Sequence, residues 1–383
     1  MAAPEHHNSP PVPAGLAITA VRVPPPGSLA GHAAVGGSAS GPDDDFRTCH
    51  ALREKQELAL WGNLDRCPTL AEAAEFWRGN AYEERFLFLA RLGHETAGLC
   101  SVTLPLRENT ATAGVDVLVA PAYRRRGLGR ALLRHVEDLA RSRGRTSLDG
   151  YFEVPIGHAA TGATVPAKSG AGALPLAEPG TAFALASGYD LEQVERSSSL
   201  ALPVPGDVLD QLAARATGTS GDYTLVWWDS SCPADLVDKF AELKAHMSVD
   251  VPTAGLDWGL EDWDAARVRS GEEQLARSGT EAVVVAAQHR GTGDLVGYTV
   301  LEWRPGVPAS ILQNDTLVVA AHRGHNLGLL LKLANVRRAQ ERWPAARSVL
   351  TWNASENQHM LAINGALGFK PAGYEGEWQK RLG

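Results

Sequence analysis

Apolar positions recur along this chain at two spacings, every second residue in some stretches and every three to four in others, and the order of stretches runs through twice. Residues 16–23 alternate, with Leu16, Ile18 and Val21 apolar, and stop at Pro24-Pro25-Pro26-Gly27, which predicts a strand. Residues 31–42 are small and polar and read as a loop. Asp43-Asp44-Asp45 opens a helical stretch, since acids in a first turn suit the helix dipole, and 70–78 predicts a second helix. A hairpin over 86–92 and 97–104 turns at Gly93-His94-Glu95-Thr96. One more strand leads into a helix over 129–143 with Leu132, Leu133, Val136 and Leu139 on one face. The second pass predicts a strand at 223–228 and helices at 234–247 and 260–276. A hairpin over 282–288 and 294–303 and a strand at 310–319 follow. Next come a helix from about 327 to 341 that stops before Pro344, a strand at 348–352, a helix at 357–367 and a tail strand with Trp378. Strands and helices in this order predict an α/β fold, a mixed sheet flanked by helices.

The two passes share one unusual segment. Val115-Asp116-Val117-Leu118-Val119-Ala120-Pro121-Ala122-Tyr123-Arg124-Arg125-Arg126-Gly127-Leu128-Gly129-Arg130 is matched by the stretch from Asn314 to Leu329. Asp116 aligns with Asp315, Arg124 with Arg323 and Gly129 with Gly328. We read a tandem duplication: one domain over 1–202 with a flexible Ala/Gly/Pro/Thr-rich insertion at 155–180, a linker at 203–221, and a second domain over 222–383. A strand that turns tightly into a helix leaves the first helical N–H groups unpaired, and the dipole adds positive character there. Glycines let that backbone approach an oxyanion and arginine adds a full charge, so each segment is suited to a phosphate-bearing ligand. The lysine and hydroxyl of a P-loop are missing, as is the three-glycine dinucleotide fingerprint.

Arg-x-x-Gly-x-Gly after a strand resembles the acyl-CoA-binding motif of the GNAT acetyltransferase superfamily. The later Gly188-Tyr189 and Gly368-Phe369, each closing a helix, resemble a later element of the same superfamily. His322-Arg323-Gly324-His325 with Thr351-Trp352-Asn353-Ala354 resembles the two-domain GNAT proteins of the mycothiol synthase type found in actinobacteria. The resemblance implies acetyl-CoA as donor and no metal. It places the donor on Val119, Arg124, Arg125, Arg126, Gly127, Leu128, Gly129 and Arg130 in the first half. In the second half it places the donor on Leu317, Val318, Val319, Arg323, Gly324, His325, Asn326, Leu327 and Gly328, with Asn353 and Asn357 nearby. The second copy departs from the motif: Asn326 stands in the place of Gly127, and Gly324 is extra. Asparagine tolerates a left-handed backbone, so the turn can still close.

Composition narrows the partners. A net charge of −8 without a basic face argues against nucleic acid and permits a cationic substrate. Cys49, Cys67, Cys100 and Cys232 are scattered without a CxxC pair, which fits a reducing cytoplasm better than a disulfide or metal framework. No signal peptide and no membrane-spanning run is expected. Ala, Gly and Arg over Lys fit a high-GC genome.

Acyl transfer from a thioester to an amine needs an oriented donor, a proton acceptor for the ammonium and stabilisation of the leaving thiolate. Asp315 and Glu302 are the candidate bases, against readings in which Asp315 fixes its strand and Glu302 faces solvent. The tyrosine that many GNAT enzymes place four residues before the Gly-aromatic pair is replaced by Ala184 and Asn364. Asn364 is the candidate at the thiolate, Asn353 and Asn357 are alternatives, and Tyr374 is a distant substitute. Asp250, Trp258 and Gln313 are candidate acceptor contacts, while Glu261, Asp262 and Asp264 read as a helix start. His322 and His325 stand beside the second turn. The expectation is a cytoplasmic N-acetyltransferase for a small-molecule amine, monomer or homodimer, working in its second half. A non-catalytic acyl-CoA-binding scaffold is the alternative, and acetylation of a protein is a third.

Overall fold

The structure is a computed structural model, and it describes residues 13–26, 42–158, 162–216, 220–250 and 252–382. Most of the loop expected at 31–42 lies outside them. The first half contributes β1 (Leu16–Ala20), α1 (Pro42–Trp61), α2 (Leu70–Trp77), β2 (Glu83–Leu92), β3 (Glu95–Pro105), β4 (Thr112–Val119), α3 (Leu128–Ser142), β5 (Ser147–Pro155), β6 (Thr164–Pro166), β7 (Ala173–Pro175), α4 (Pro179–Ala186) and β8 (Asp190–Ala201). After α5 (Gly206–Ala216) the second half repeats the order. It contributes β9 (Tyr223–Asp229), α6 (Val237–Asp250), α7 (Ala265–Ser278), β10 (Glu281–His289), β11 (Leu295–Trp303), β12 (Ser310–Val318), α8 (Leu327–Arg342), β13 (Ser348–Ala354), α9 (Gln358–Leu367) and β14 (Lys370–Arg381).

All the strands except β6 and β7 form one sheet in the order β1-β2-β3-β4-β5-β14-β8-β13-β12-β11-β10-β9. The halves exchange their last strands. β14, from the end of the chain, pairs antiparallel with β5 and carries Trp378 into the first core, where it stacks on Phe152. β8 pairs antiparallel with β13 and carries Leu200 into the second core beside Leu333 and Phe369. The expected tail strand therefore completes the first half's sheet and not its own. Each exchanged strand buries large apolar side chains against the other half, and removing one such side chain costs about 3–5 kcal/mol.

Three local expectations change. The insertion at 155–180 is not a structureless loop over its described part: β6 and β7 form a hairpin whose Leu174 is fully buried in the first core. The stretch expected as linker holds α5, with Leu209 buried against the second core. The helix expected from 260 begins at Ala265, where the Asp264 carboxylate caps it by accepting from the Arg267 N–H at 2.7 Å.

In each half the two central parallel strands pair over three residues and then part. β4 and β5 pair from Thr112↔Ser147 to Gly114↔Asp149, and β12 and β13 from Ser310↔Ser348 to Leu312↔Leu350. Each half thus opens a slot beside its strand-to-helix turn.

Candidate functional site

The two turns have matching backbones built from different residues. In the first, Arg125 (φ 62°) and Gly127 (φ 84°) are left-handed; in the second, Gly324 (φ 86°) and Asn326 (φ 56°) are. The extra glycine and the missing one thus trade places across the same two left-handed positions. Neither Gly127 nor Asn326 caps its helix with a side chain, so the first-turn N–H groups of α3 and α8 carry no such cap.

The paired arginines also brace the turns. Nε of Arg124 donates to the Val119 carbonyl and Nε of Arg323 to the Val318 carbonyl, each at 3.0 Å. Arg125, Arg126 and Arg130 are exposed around the first turn. Gly129 and Gly328 set how closely the later helices approach: a Cβ there would lie 3.1 Å from Phe183 of α4 or from Ile363 of α9. Leu128 and Leu327 anchor the helix starts and are 1 % exposed. A groove of about 250 Å³ lies between the second turn and α9, lined among others by Val318, Arg323, Gly324, Asn326 and Ile363. His322 is held by Tyr223, whose hydroxyl lies 3.0 Å from Nδ1, and the His325 ring lies 5.4 Å from that of Tyr223.

The second half differs at the strand. The register between β11 and β12 shifts between Thr299 and Leu301, opposite Asn314 and Asp315, whereas β3 and β4 pair without interruption. Such a bulge takes backbone groups out of the ladder at the edge of the slot.

The aligned aspartates each meet a cation from their own half's first helix. Asp116 accepts from Arg53 of α1. Asp315 accepts from Lys244 of α6 and from the Tyr298 hydroxyl, the latter at 2.9 Å. Burial pushes the Asp315 carboxyl up, but Lys244 and the two hydrogen bonds outweigh it, so its pKa falls below the usual value. Glu302 behaves oppositely: burial raises it to about 6, with Asn314 opposing and the Asp315 charge adding to the rise. Asn364 is 2 % exposed; its amide donates to Asn353 Oδ1 at 2.6 Å and its own Oδ1 has no partner.

Several expected contacts are placed elsewhere. Gln313 is buried, and its amide donates to the Val300 carbonyl at 2.7 Å and Thr299 Oγ1 at 3.0 Å, so it binds its own sheet. Asp250 is drawn to Arg323, 3.3 Å from Nη2. Trp258 sits over the first half, its Nε1 donating to Asp149 at 3.0 Å. Asn357 caps α9 by accepting from the Met360 N–H at 3.1 Å. Leu317 turns into the core, while Val319 packs partly buried against it.

Sequence reasoning missed Arg53, Lys244 and Tyr298, although the aspartate alignment marks where a cation is needed. It also missed a row of acids between the two slots. Glu153 of β5 stands opposite Glu375 of β14, and Glu375 stands opposite Glu195 of β8; Glu377 flanks them, opposite Tyr151 and Gln193. Directly paired residues share a face, so these carboxylates form one floor. Burial, with the neighbouring acids, raises Glu375 well above the ordinary range, Glu377 to about 8 and Glu195 to about 7. Arg66 lies 3.4 Å from Glu153, stacks on Trp61 and donates to Ser197 at 3.0 Å.

Two parting strand pairs, each followed by a left-handed turn and a helix, give the protein two GNAT-like halves, an arrangement of the tandem GNAT type. Residues 52–155 match the acetyltransferase (GNAT) family, and family and fold together support acyl transfer. No curated protein sequence matches the chain. Among solved structures it is similar to a tandem GNAT protein from the clavulanic acid biosynthesis pathway, at 28 % identity and TM-score 0.70, over 96 % of this chain and 99 % of that one. It is also similar to a GCN5-related N-acetyltransferase from Sphaerobacter thermophilus, at 15 % identity and TM-score 0.60, over 97 % of each chain. A GCN5-related glucosamine N-acetyltransferase region of a fungal multi-domain β-N-acetylglucosaminidase shares the fold at 11 % identity and TM-score 0.59, over 96 % of this chain and 38 % of that one. No helix among the described residues is long and apolar enough to cross a membrane.

Proposed function

We propose that the protein is an acetyl-CoA-dependent N-acetyltransferase for the amine of a small molecule, with the reaction in the second half. The bulge opposite Asn314 and Asp315, beside a turn that opens onto a groove, carries this reading. We propose that the duplicated segments divide as 1–202 and 222–383 about the connection at 203–221; the exchanged strands join both in one sheet.

The donor supplies an activated acetyl group. The first-turn N–H groups of α8, with Arg323 and the Gly324–Asn326 backbone, would hold its phosphates, and the slot between β12 and β13 would take the rest of the donor. Glu302, poised near 6, accepts a proton from the incoming ammonium, and Asp315 keeps Lys244 and Tyr298 in place. Asn364, bonded to Asn353, would donate to a leaving thiolate but would not protonate it.

That last limit, with the low carboxyl of Asp315, favours the second reading, a non-catalytic acyl-CoA-binding protein. Calorimetric titration of acetyl-CoA into the wild type, Arg124→Ala and Arg323→Ala, followed by amine-dependent thiol release, separates the two. Binding weakened by Arg323→Ala, with thiol release, supports the enzyme. Binding without release under any amine supports the scaffold, and no binding removes both.

A further inference from the structure

The first half reaches toward the second half's candidate site at one arginine. Arg267 stands in the first turn of α7 with its side chain 12 % exposed. Its guanidinium lies 4.6 Å from the ring centre of Trp263, in the second half, and 4.6 Å from that of Tyr82, in the first. A planar guanidinium stacks on aromatic faces, so two rings fix its position. Its N–H groups are engaged as well. Nη1 donates to Glu108, in the turn between β3 and β4, at 3.1 Å and to the Asp262 carbonyl at 2.8 Å, while Nη2 lies 3.3 Å from Glu261. Arg107, from the same turn as Glu108, stacks on Tyr82 at 4.4 Å.

From Trp263 the contacts continue to the aspartate of the second slot. The indole donates to Glu261 at 2.9 Å, packs against the core that holds Phe240 and Tyr298, and stands 4.8 Å from Lys244 Nζ. Lys244 in turn donates to Asp315. Cations and rings thus alternate from Arg107 through Tyr82, Arg267 and Trp263 to Lys244. The halves are fastened along the same helix, where Arg277 of α7 donates to Glu75 of α2 at 2.9 Å. The first half holds a counterpart: Arg66 stacks on Trp61 at 3.6 Å and lies 5.9 Å from Trp352 of β13. Each half therefore sets one arginine against a ring of its own and a ring of the other half.

We propose that Arg267 is a positioning residue through which the first half acts on the second half's reaction. Tyr82 and Glu108 hold Arg267 on Trp263, and Trp263 holds Lys244 on Asp315, beside the base Glu302. The proposal rests on the acyl-transfer reading in the second half and gives the first half a part in it.

The groups acting on the two carboxyls show how such an effect would travel. Asp315 feels Lys244 of α6 and the Tyr298 hydroxyl of β11. Glu302 feels Asp315, Lys244, Glu72 of α2 and the Asn314 side chain. Arg267 is not among them, so its influence on either passes through Trp263 and Lys244. Lys244 draws both carboxyls down, and a Lys244 released from Trp263 lets both rise.

The test is a carbon-13 NMR titration of the Asp315 and Glu302 carboxyls in the full chain, assigned with Asp315→Asn and Glu302→Gln, beside a calorimetric titration of acetyl-CoA. Tyr82→Leu removes the first half's ring without changing any charge. It is expected to raise both midpoints by at least about 0.5 pH unit, with acetyl-CoA affinity kept. Tyr82→Phe, which keeps the ring, is expected to titrate as the wild type does. Arg267→Lys keeps the charge but loses the planar stack, is expected to raise both midpoints as Tyr82→Leu does, and serves alone if Tyr82→Leu does not fold. Unchanged or lowered midpoints in Tyr82→Leu or Arg267→Lys, or a Tyr82→Phe shifted as far as Tyr82→Leu, would overturn the positioning role and leave acyl transfer standing. Failure of acetyl-CoA to bind the wild type would remove the underlying reading instead, with the midpoints still showing whether Arg267 holds Lys244 in place.

Discussion

The Tyr298 hydroxyl donates to the Asp315 carboxylate at 2.9 Å, from the strand adjacent to the bulge that frees the edge of the slot. With Lys244 on the same oxygen, the aspartate is a braced anion. Lys244→Met leaves it without its counter-charge and is expected to destabilise the chain by about 2 kcal/mol, read by urea unfolding at pH 7. Tyr298→Phe is expected to cost less, because Lys244 remains. The folded carboxyl is depressed, so the pairing contributes above the ordinary aspartate pKa and is lost as pH falls through the lower folded value. In Lys244→Met that loss is expected at higher pH. Equal stability of wild type and Lys244→Met from pH 3 to 7 would show the pair to be inert.

Asn326 and Gly127 hold the same left-handed corner. Asn326→Gly is expected to be neutral within about 0.5 kcal/mol and to keep donor binding, while Asn326→Ala is expected to cost about 1 kcal/mol. Arg125→Gly relieves the reciprocal position in the first turn, with a gain below about 1 kcal/mol. Thermal unfolding of the three variants measures this, and a neutral Asn326→Ala would contradict the account.

Gly328 lets α9 rest on α8. Gly328→Ala presses on Ile363 at 3.1 Å and narrows the groove. We expect roughly tenfold weaker acetyl-CoA binding, partly restored by Ile363→Val in the same chain. A double variant as weak as the single one would place the effect elsewhere.

Glu302 gives a kinetic signature. With its carboxyl near 6, kcat/KM for thiol release is expected to rise with pH through about 6, and Glu302→Gln is expected to lower it and remove that limb. Stability carries the opposite sign: a carboxyl raised by folding contributes fully below its unfolded pKa and loses that contribution as pH rises through about 6. Glu302→Gln is therefore expected to melt no lower than wild type at pH 7.5. A variant with an unchanged pH profile would move the base role to another group.

Local chemistry made much of this protein legible in its residues. The hairpin turn at Gly93, the helix face of α3 and the two duplicated turns all follow from side chains within a few positions of each other. Asn326 shows how far such reading reaches, since its tolerance of a left-handed backbone sufficed to predict that the turn closes.

The roles of Gln313, Asp250 and Trp258 were not legible, because each is decided by a neighbour from another element. Alternation alone leaves open which face of β12 is packed, and Gln313 lies on the packed one.

The sequence by itself determined the repeated order of strands and helices and the chemistry of both turns, since each rests on periodicity and backbone preference within one segment. Only the tertiary structure decided that β14 completes the first half and β8 extends the second, and so brought Glu153, Glu375 and Glu195 into one row. The physical reason is that strand pairing uses backbone groups common to every residue, so Glu375 carries no local sign that its partners lie far back in the chain.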